Sequence, residues 1–179
     1  MMEDTLQEIK IVVYKKVVEG DLKKFFAQSN IARSGGGARD LRFSPAKYFY
    51  PIFQRMFRHQ EEDNTYTGFF FWSEHAPTEV TIHPPTNSRH NEIRIAKVHE
   101  CIPDKYIPNT IGDCILIMIL DSSNKVWPYF ITEKSLREDD WHPKIKDEIL
   151  QGLNARRSSK SSPMGYLDIE RGGSYTNGK

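Results

Sequence analysis

Cys114-Ile-Leu-Ile-Met-Ile-Leu120, Asp121-Ser-Ser-Asn-Lys125 and Val126-Trp-Pro-Tyr-Phe-Ile-Thr132 follow one another without a break, and the reading of these three stretches decides the fold. The first is apolar at every position, the pattern of a central strand covered on both faces. It is far too short to cross a bilayer as a helix. The second is a polar run that can turn the chain back as a hairpin. The third is rich in aromatic and β-branched side chains, which suit a pleated, half-buried surface. A strand, a turn and a second strand are therefore predicted here.

Outward from this hairpin, residues 65–72, 79–83 and 91–98 have the same short, β-branched or aromatic character and are separated by Pro, Asn, Ser or Gly. Downstream, His142-Pro143 opens a stretch in which Ile145, Ile149, Leu150 and Leu153 recur at helical spacing, predicting a helix that covers one face of the sheet. Upstream, residues 6–18 fit a helix by some spacings and a strand by their β-branching, and the two readings stay open. With Asp21 as a cap, Leu22, Phe25 and Phe26 fall on one face of a short helix ending near Asn30. Pro51 interrupts the helix that Ser44-Pro45 could start, so the next helix is predicted from Pro51 to about His59, with Arg55 and Arg58 on one face. The fold class read from these elements is α+β. A mostly antiparallel sheet of five or more strands, open or barrel-like, follows an N-terminal helical part and carries a C-terminal packing helix.

The chain has 179 residues, and its 38% hydrophobic content is enough to bury one core, so residues 1–154 are expected as a single globular domain. Residues 155–179 turn Ser-, Gly- and Lys-rich and are expected as a flexible polar tail. Cys101 and Cys114 form no CxxC pair and sit in apolar surroundings, as reduced core thiols do. With an opening Met-Met-Glu-Asp that lacks the basic and apolar regions of a secretory signal, this predicts a cytoplasmic protein without membrane attachment.

Charge is unevenly placed. The net charge is +1, yet residues 33–58 hold six basic residues (Arg33, Arg39, Arg42, Lys47, Arg55, Arg58) against one acid, Asp40, and so carry +5. Within this segment Gly35, Gly36 and Gly37 allow the backbone to turn several N–H groups toward one point, flanked by Arg33, Ser34 and Arg39, a combination that suits phosphate. If residues 40–43 are extended, Arg42 lies on the face opposite Leu41 and Phe43. The glycines do not make a P-loop, because they follow a predicted helix and lack the Lys-Ser/Thr that contacts phosphate and magnesium. A second polar stretch, residues 83–91, offers Asn87, Arg89 and His90, side chains of the kind that read base edges, whereas phosphate contacts fix position only. A solvated strand connection is the competing reading of that loop.

Enzymatic alternatives have less to stand on. Glu92-Ile-Arg94 has Arg where a metal-dependent nuclease motif requires Lys, and no acid pair is placed to hold magnesium, so catalytic residues are unassigned and no metal site or cofactor is expected. His99 and Cys101 are the one close His/Cys pair, too few ligands for zinc. The run Phe69-Phe70-Phe71-Trp72 could stack bases but is better read as core.

Arg39-Asp40-Leu41-Arg42 after three glycines, the series of short strands, and Gly112-Asp113 leading into the hairpin that ends Val126-Trp-Pro-Tyr-Phe resemble the pseudobarrel DNA-recognition domains associated with restriction endonucleases. The resemblance spans residues 33–132 and implies a module that grips the DNA major groove with basic arms. It assigns no residue roles. The functional expectation is a DNA-binding protein, sequence- or modification-specific, in a restriction or phage-defence setting. Its partners would be double-stranded DNA and a separate catalytic or defence-complex subunit. The alternatives are a metal-dependent nuclease with an unrecognised acidic site and a protein-interaction or immunity-type module.

Overall fold

In chain order the elements are β1 (Ile9–Lys16), α1 (Glu19–Phe25), β2 (Leu41–Phe43), α2 (Ala46–Met56), β3 (His59–Gln60), β4 (Tyr66–Trp72), β5 (His75–His83), β6 (Ile93–Ile95), α3 (Val98–Cys101), β7 (Cys114–Asp121), β8 (Val126–Thr132), α4 (Glu133–Glu138), α5 (Pro143–Asn154), β9 (Met164–Asp168) and β10 (Ser174–Thr176). The structure, a computed structural model, describes residues 8–26, 39–108, 114–156 and 161–178. The fold is α+β, and every strand pair within each of its two compact units is antiparallel. One unit comprises Met1–Val18 with Pro108–Lys179, and the other Glu19–Ile107. The first unit thus draws on both ends of the chain.

In the first unit the strand order is β10-β9-β1-β7-β8. The β7 strand lies between β1 and β8 and is buried from Cys114 to Leu120, which explains why the sequence can be apolar at every position there. The open reading of residues 6–18 resolves as strand β1 over Ile9–Lys16. Pairing with β7 and β9 on either side buries Ile11 to Lys15 continuously, and β-branched side chains are better suited to that setting than to a helix. The loop between β7 and β8 is a tight hairpin: Asp121 Oδ1 accepts the backbone N–H groups of Ser123 and Lys125, both at 2.9 Å, and Asn124 takes φ 62°.

Helix α5 starts at Pro143, with His142 Nδ1 accepting the Lys144 N–H at 3.2 Å. Its Ile145 and Ile149 join Val12, Tyr14, Ile117, Leu136 and Trp141 in one core. Burying each isoleucine is worth about 1.5–3 kcal/mol. The expected tail is corrected in part. Residues 164–168 pair with β1 and residues 174–176 with β9, because β1 still has an unpaired edge there and Met164 and Leu167 bury against it. Residues 157–160 and 179 lie outside the described residues.

In the second unit the strand order is β4-β5-β6-β2, with β3 against β4. Helix α2 begins earlier than expected and carries Pro51 inside it. Pro51 is exposed, so the carbonyl it leaves without an N–H partner faces solvent, while Ala46, Phe49, Ile52, Phe53 and Met56 form a buried stripe at helical spacing. That stripe meets a chain of rings. Phe43 lies 5.5 Å from Phe49 and 5.0 Å from Phe53, Phe53 stacks on Phe57, and Phe57 meets Phe70 edge-on. Of the aromatic run on β4, Phe70 and Trp72 are core and Phe69 is 51% exposed. Asp21 lies within α1 and is buried, so it is not that helix's cap.

Candidate functional site

Strand alternation places the central residue of the site. On β2 Leu41 and Phe43 are buried and Arg42 is exposed. Its partner across the ladder is Arg94 of β6. Two like charges directly opposite each other are unfavourable unless neighbours compensate them, and two carboxylates do so. Asp40 Oδ2 accepts from Arg94 Nη1 at 2.8 Å, and Glu92 Oε1 lies 3.8 Å from Arg42 Nε, 3.7 Å from Arg89 Nη1 and 4.0 Å from Arg94 Nε.

Arg89 is delivered by a local turn. Thr86 and Arg89 exchange backbone hydrogen bonds at 3.2 and 3.1 Å, and Thr86 Oγ1 accepts a further one from Arg89 N. Asn91 O accepts the Ala46 N–H at 3.1 Å, tying this loop to the start of α2. The result is a cleft of about 400 Å³ lined by Arg42, Ser44, Ser88, Arg89, His90, Asn91 and Glu92. Two stretches far apart in sequence meet there.

The cleft is cationic and incompletely bonded. Glu92 stands beyond hydrogen-bond distance from all three guanidiniums. Arg89 Nη1 and Arg94 Nε are buried and have no hydrogen-bond partner among the described residues. Buried donors of this kind are normally satisfied. His83, paired in register with Arg94, is held below the usual histidine range first by burial and then by the Arg94 charge. The arrangement offers forked N–H donors, hydroxyls and an imidazole to an oxyanion.

Of the residues predicted from sequence, Arg42, Arg89 and His90 line this cleft. Arg39 does not line it: its guanidinium donates to the Phe26 carbonyl. Lys47 is exposed on α2 with Nζ 5.0 Å from the Tyr48 ring centre. Arg55 is in the last turn of α2, and Arg58 lies past its end, with Nε donating to the Arg55 carbonyl at 3.3 Å. Asn87 is exposed in the turn that carries Arg89. Arg33, Ser34, Gly35, Gly36 and Gly37 lie outside the described residues, as do Gly112 and Asp113. Sequence reasoning missed Arg94 and Glu92 as parts of the site. Their spacing on an extended segment, which puts both on one face, was the available signal.

Among the described residues no group of three or more His, Cys, Asp or Glu side chains could hold a metal ion, and no helix is long and apolar enough to cross a membrane. Cys101 is buried with its thiol pushed up to about 12 by that burial, which disfavours the thiolate a nucleophile requires. No protein-family model matches the sequence, and none of the curated proteins compared with it is significantly similar.

Proposed function

We propose that the protein binds DNA through the cleft between β2 and the 86–92 segment, with Arg42 and Arg89 gripping a backbone phosphate. The observation that carries this reading is the cleft shared by Arg42 and Arg89, whose side chains remain 48% and 34% exposed with Glu92 no nearer than 3.7 Å. A phosphate in the cleft would bond the accessible N–H groups of both guanidiniums, and bidentate guanidinium–phosphate contacts are among the stronger charge-assisted bonds. Asn87 and His90, exposed beside Arg89, would reach base edges once the phosphate is held. Glu92 acts as the internal counter-anion that offsets the repulsion between the arginines when DNA is absent.

The test is binding to a labelled random duplex and to a single strand across a salt series, with the wild type and Arg42→Ala/Arg89→Ala. Duplex binding should weaken steeply with salt. The double variant should bind more weakly and show a salt slope shallower by about two, one unit for each phosphate no longer neutralised. Arg137→Ala, which removes an exposed arginine paired with Glu133, serves as the control that leaves binding unchanged. Absence of duplex binding, or binding indifferent to Arg42 and Arg89, overturns the proposal.

A further inference from the structure

An indole, a phenol and two carboxylates line a single cavity of about 410 Å³ in the unit that holds β1, β7 and β8. Trp127 and Tyr129 are two residues apart on β8 and therefore share a face of that strand. Trp127 Nε1 donates to Asp121 Oδ2 at 2.8 Å, which fixes the indole against the carboxylate. The other oxygen, Oδ1, is held by the backbone N–H groups of Ser123 and Lys125. All these donors to Asp121 are neutral, and its charge is oriented but not cancelled.

Glu8 contributes the second carboxylate. Neither Glu8 nor Asp121 pairs with a cation among the described residues. Among the described residues no Lys, Arg or His side chain lines the cavity, while Ile9 and Ile119 supply an apolar wall. Negative charge without an internal counter-ion repels phosphate and attracts a cation. Aromatic rings beside it add cation–π attraction, and the isoleucines favour a cation on a hydrocarbon stem. The volume falls within the ordinary range for small-ligand sites, about 300–1,000 Å³.

We propose that this cavity binds an alkylammonium group, as carried by a lysine side chain or a polyamine. The ammonium would sit between Glu8 and Asp121, with its methylenes against Ile9, Ile119 and the rings of Trp127 and Tyr129. The proposal does not depend on the arginine cleft, whose ligand has the opposite charge.

The experiment follows the indole N–H resonances of the full chain by NMR. There are three tryptophans, and loss of one signal in Trp127→Phe assigns the reporter. The chain is titrated separately with N-acetyl-lysine methylamide, with spermidine, and with sodium chloride at matched ionic strength. A saturable shift of the Trp127 signal with an ammonium ligand, absent with sodium chloride, supports the site. Response to spermidine alone identifies a polyamine source, and response to the lysine amide alone identifies a side chain. Glu8→Gln, an exposed substitution that spares the hairpin, should weaken the responding ligand at least twofold. Trp127→Leu, read by calorimetry, should weaken it by about two- to fivefold, the strength of one exposed cation–π contact. No saturable shift, an equal response to sodium chloride, or undiminished affinity in Glu8→Gln overturns the proposal.

Discussion

Arg94 donates from Nη1 to Asp40 Oδ2 at 2.8 Å, joining strand β6 to the residue that precedes β2. Asp40 is 2% exposed, and its second oxygen accepts the Lys97 backbone N–H at 3.1 Å. Lys97 itself adopts a left-handed conformation, φ 47°, at the start of α3. One carboxylate therefore neutralises the guanidinium opposite Arg42 and anchors a strained backbone position.

Asp40→Ala should lower the unfolding free energy by about 3–5 kcal/mol, because it leaves a buried guanidinium without its partner. Arg94→Met added to Asp40→Ala should recover much of that loss by removing the stranded charge. Urea unfolding of the two variants measures both. No recovery in the double variant would assign the loss to the Lys97 N–H bond instead.

Glu92→Gln should strengthen duplex binding by about two- to fivefold at low salt, the worth of one partly exposed charge pair. Removing this carboxylate leaves Arg42 and Arg89 without their internal counter-anion. Electrophoretic mobility shift at fixed salt reads the change. Weaker binding would show that the Glu92 carboxylate contacts the ligand directly.

Tyr14 and Gly152 interlock in the other unit. A β-carbon built at Gly152 would overlap the Tyr14 hydroxyl, and one at Gly165 would lie 2.8 Å from Tyr14 Cζ. Gly152→Ala should therefore cost about 1–3 kcal/mol through overpacking. Tyr14→Phe in that background should restore part of it, though not all, since Cζ remains 2.7 Å from the added carbon. Thermal unfolding midpoints of the single and double variants provide the check.

Acid should destabilise the fold through two imidazoles. His83 is held below the usual value of 6.5 by burial and then by Arg94, and His99 by burial and then by Arg39. Because the folded values are depressed, the unfolded chain takes up these protons first as pH falls. The associated stability is present above 6.5 and is lost as pH drops through the folded values. His83→Gln/His99→Gln should flatten the fall in urea midpoint between about pH 7 and pH 5. An unchanged slope would assign the acid sensitivity to other groups.

The strands were the most legible part of the sequence. The unbroken apolar run at residues 114–120 and the β-branched stretches around it are local patterns, and they describe β4, β7 and β8 closely. β5 starts four residues earlier than expected, at His75, because its pairing with β4 carries it through the exposed Pro77. β9 and β10 were missed for a related reason. Their Gly-, Ser- and Tyr-containing segments have little strand preference of their own and become strands by pairing with β1 and with each other. Pro51 misled in the other direction, since a proline on the solvent side of a well-buried helix is tolerated.

By itself, the sequence determined the class of fold, the positions of most strands, the α5 helix and the concentration of positive charge, because each rests on spacing and composition within a few residues. Only the tertiary structure decided which charges meet. Arg42 and Arg89 share a cleft because β2 pairs with β6 in the register that sets Arg42 opposite Arg94, and Glu92 lies one residue before β6. The division into two units, one built from both ends of the chain, likewise follows from pairing between β1, β7 and β9. Such register is a balance of burial and hydrogen bonding summed over distant segments, and a one-residue slip would turn every side chain of β2 to the opposite face.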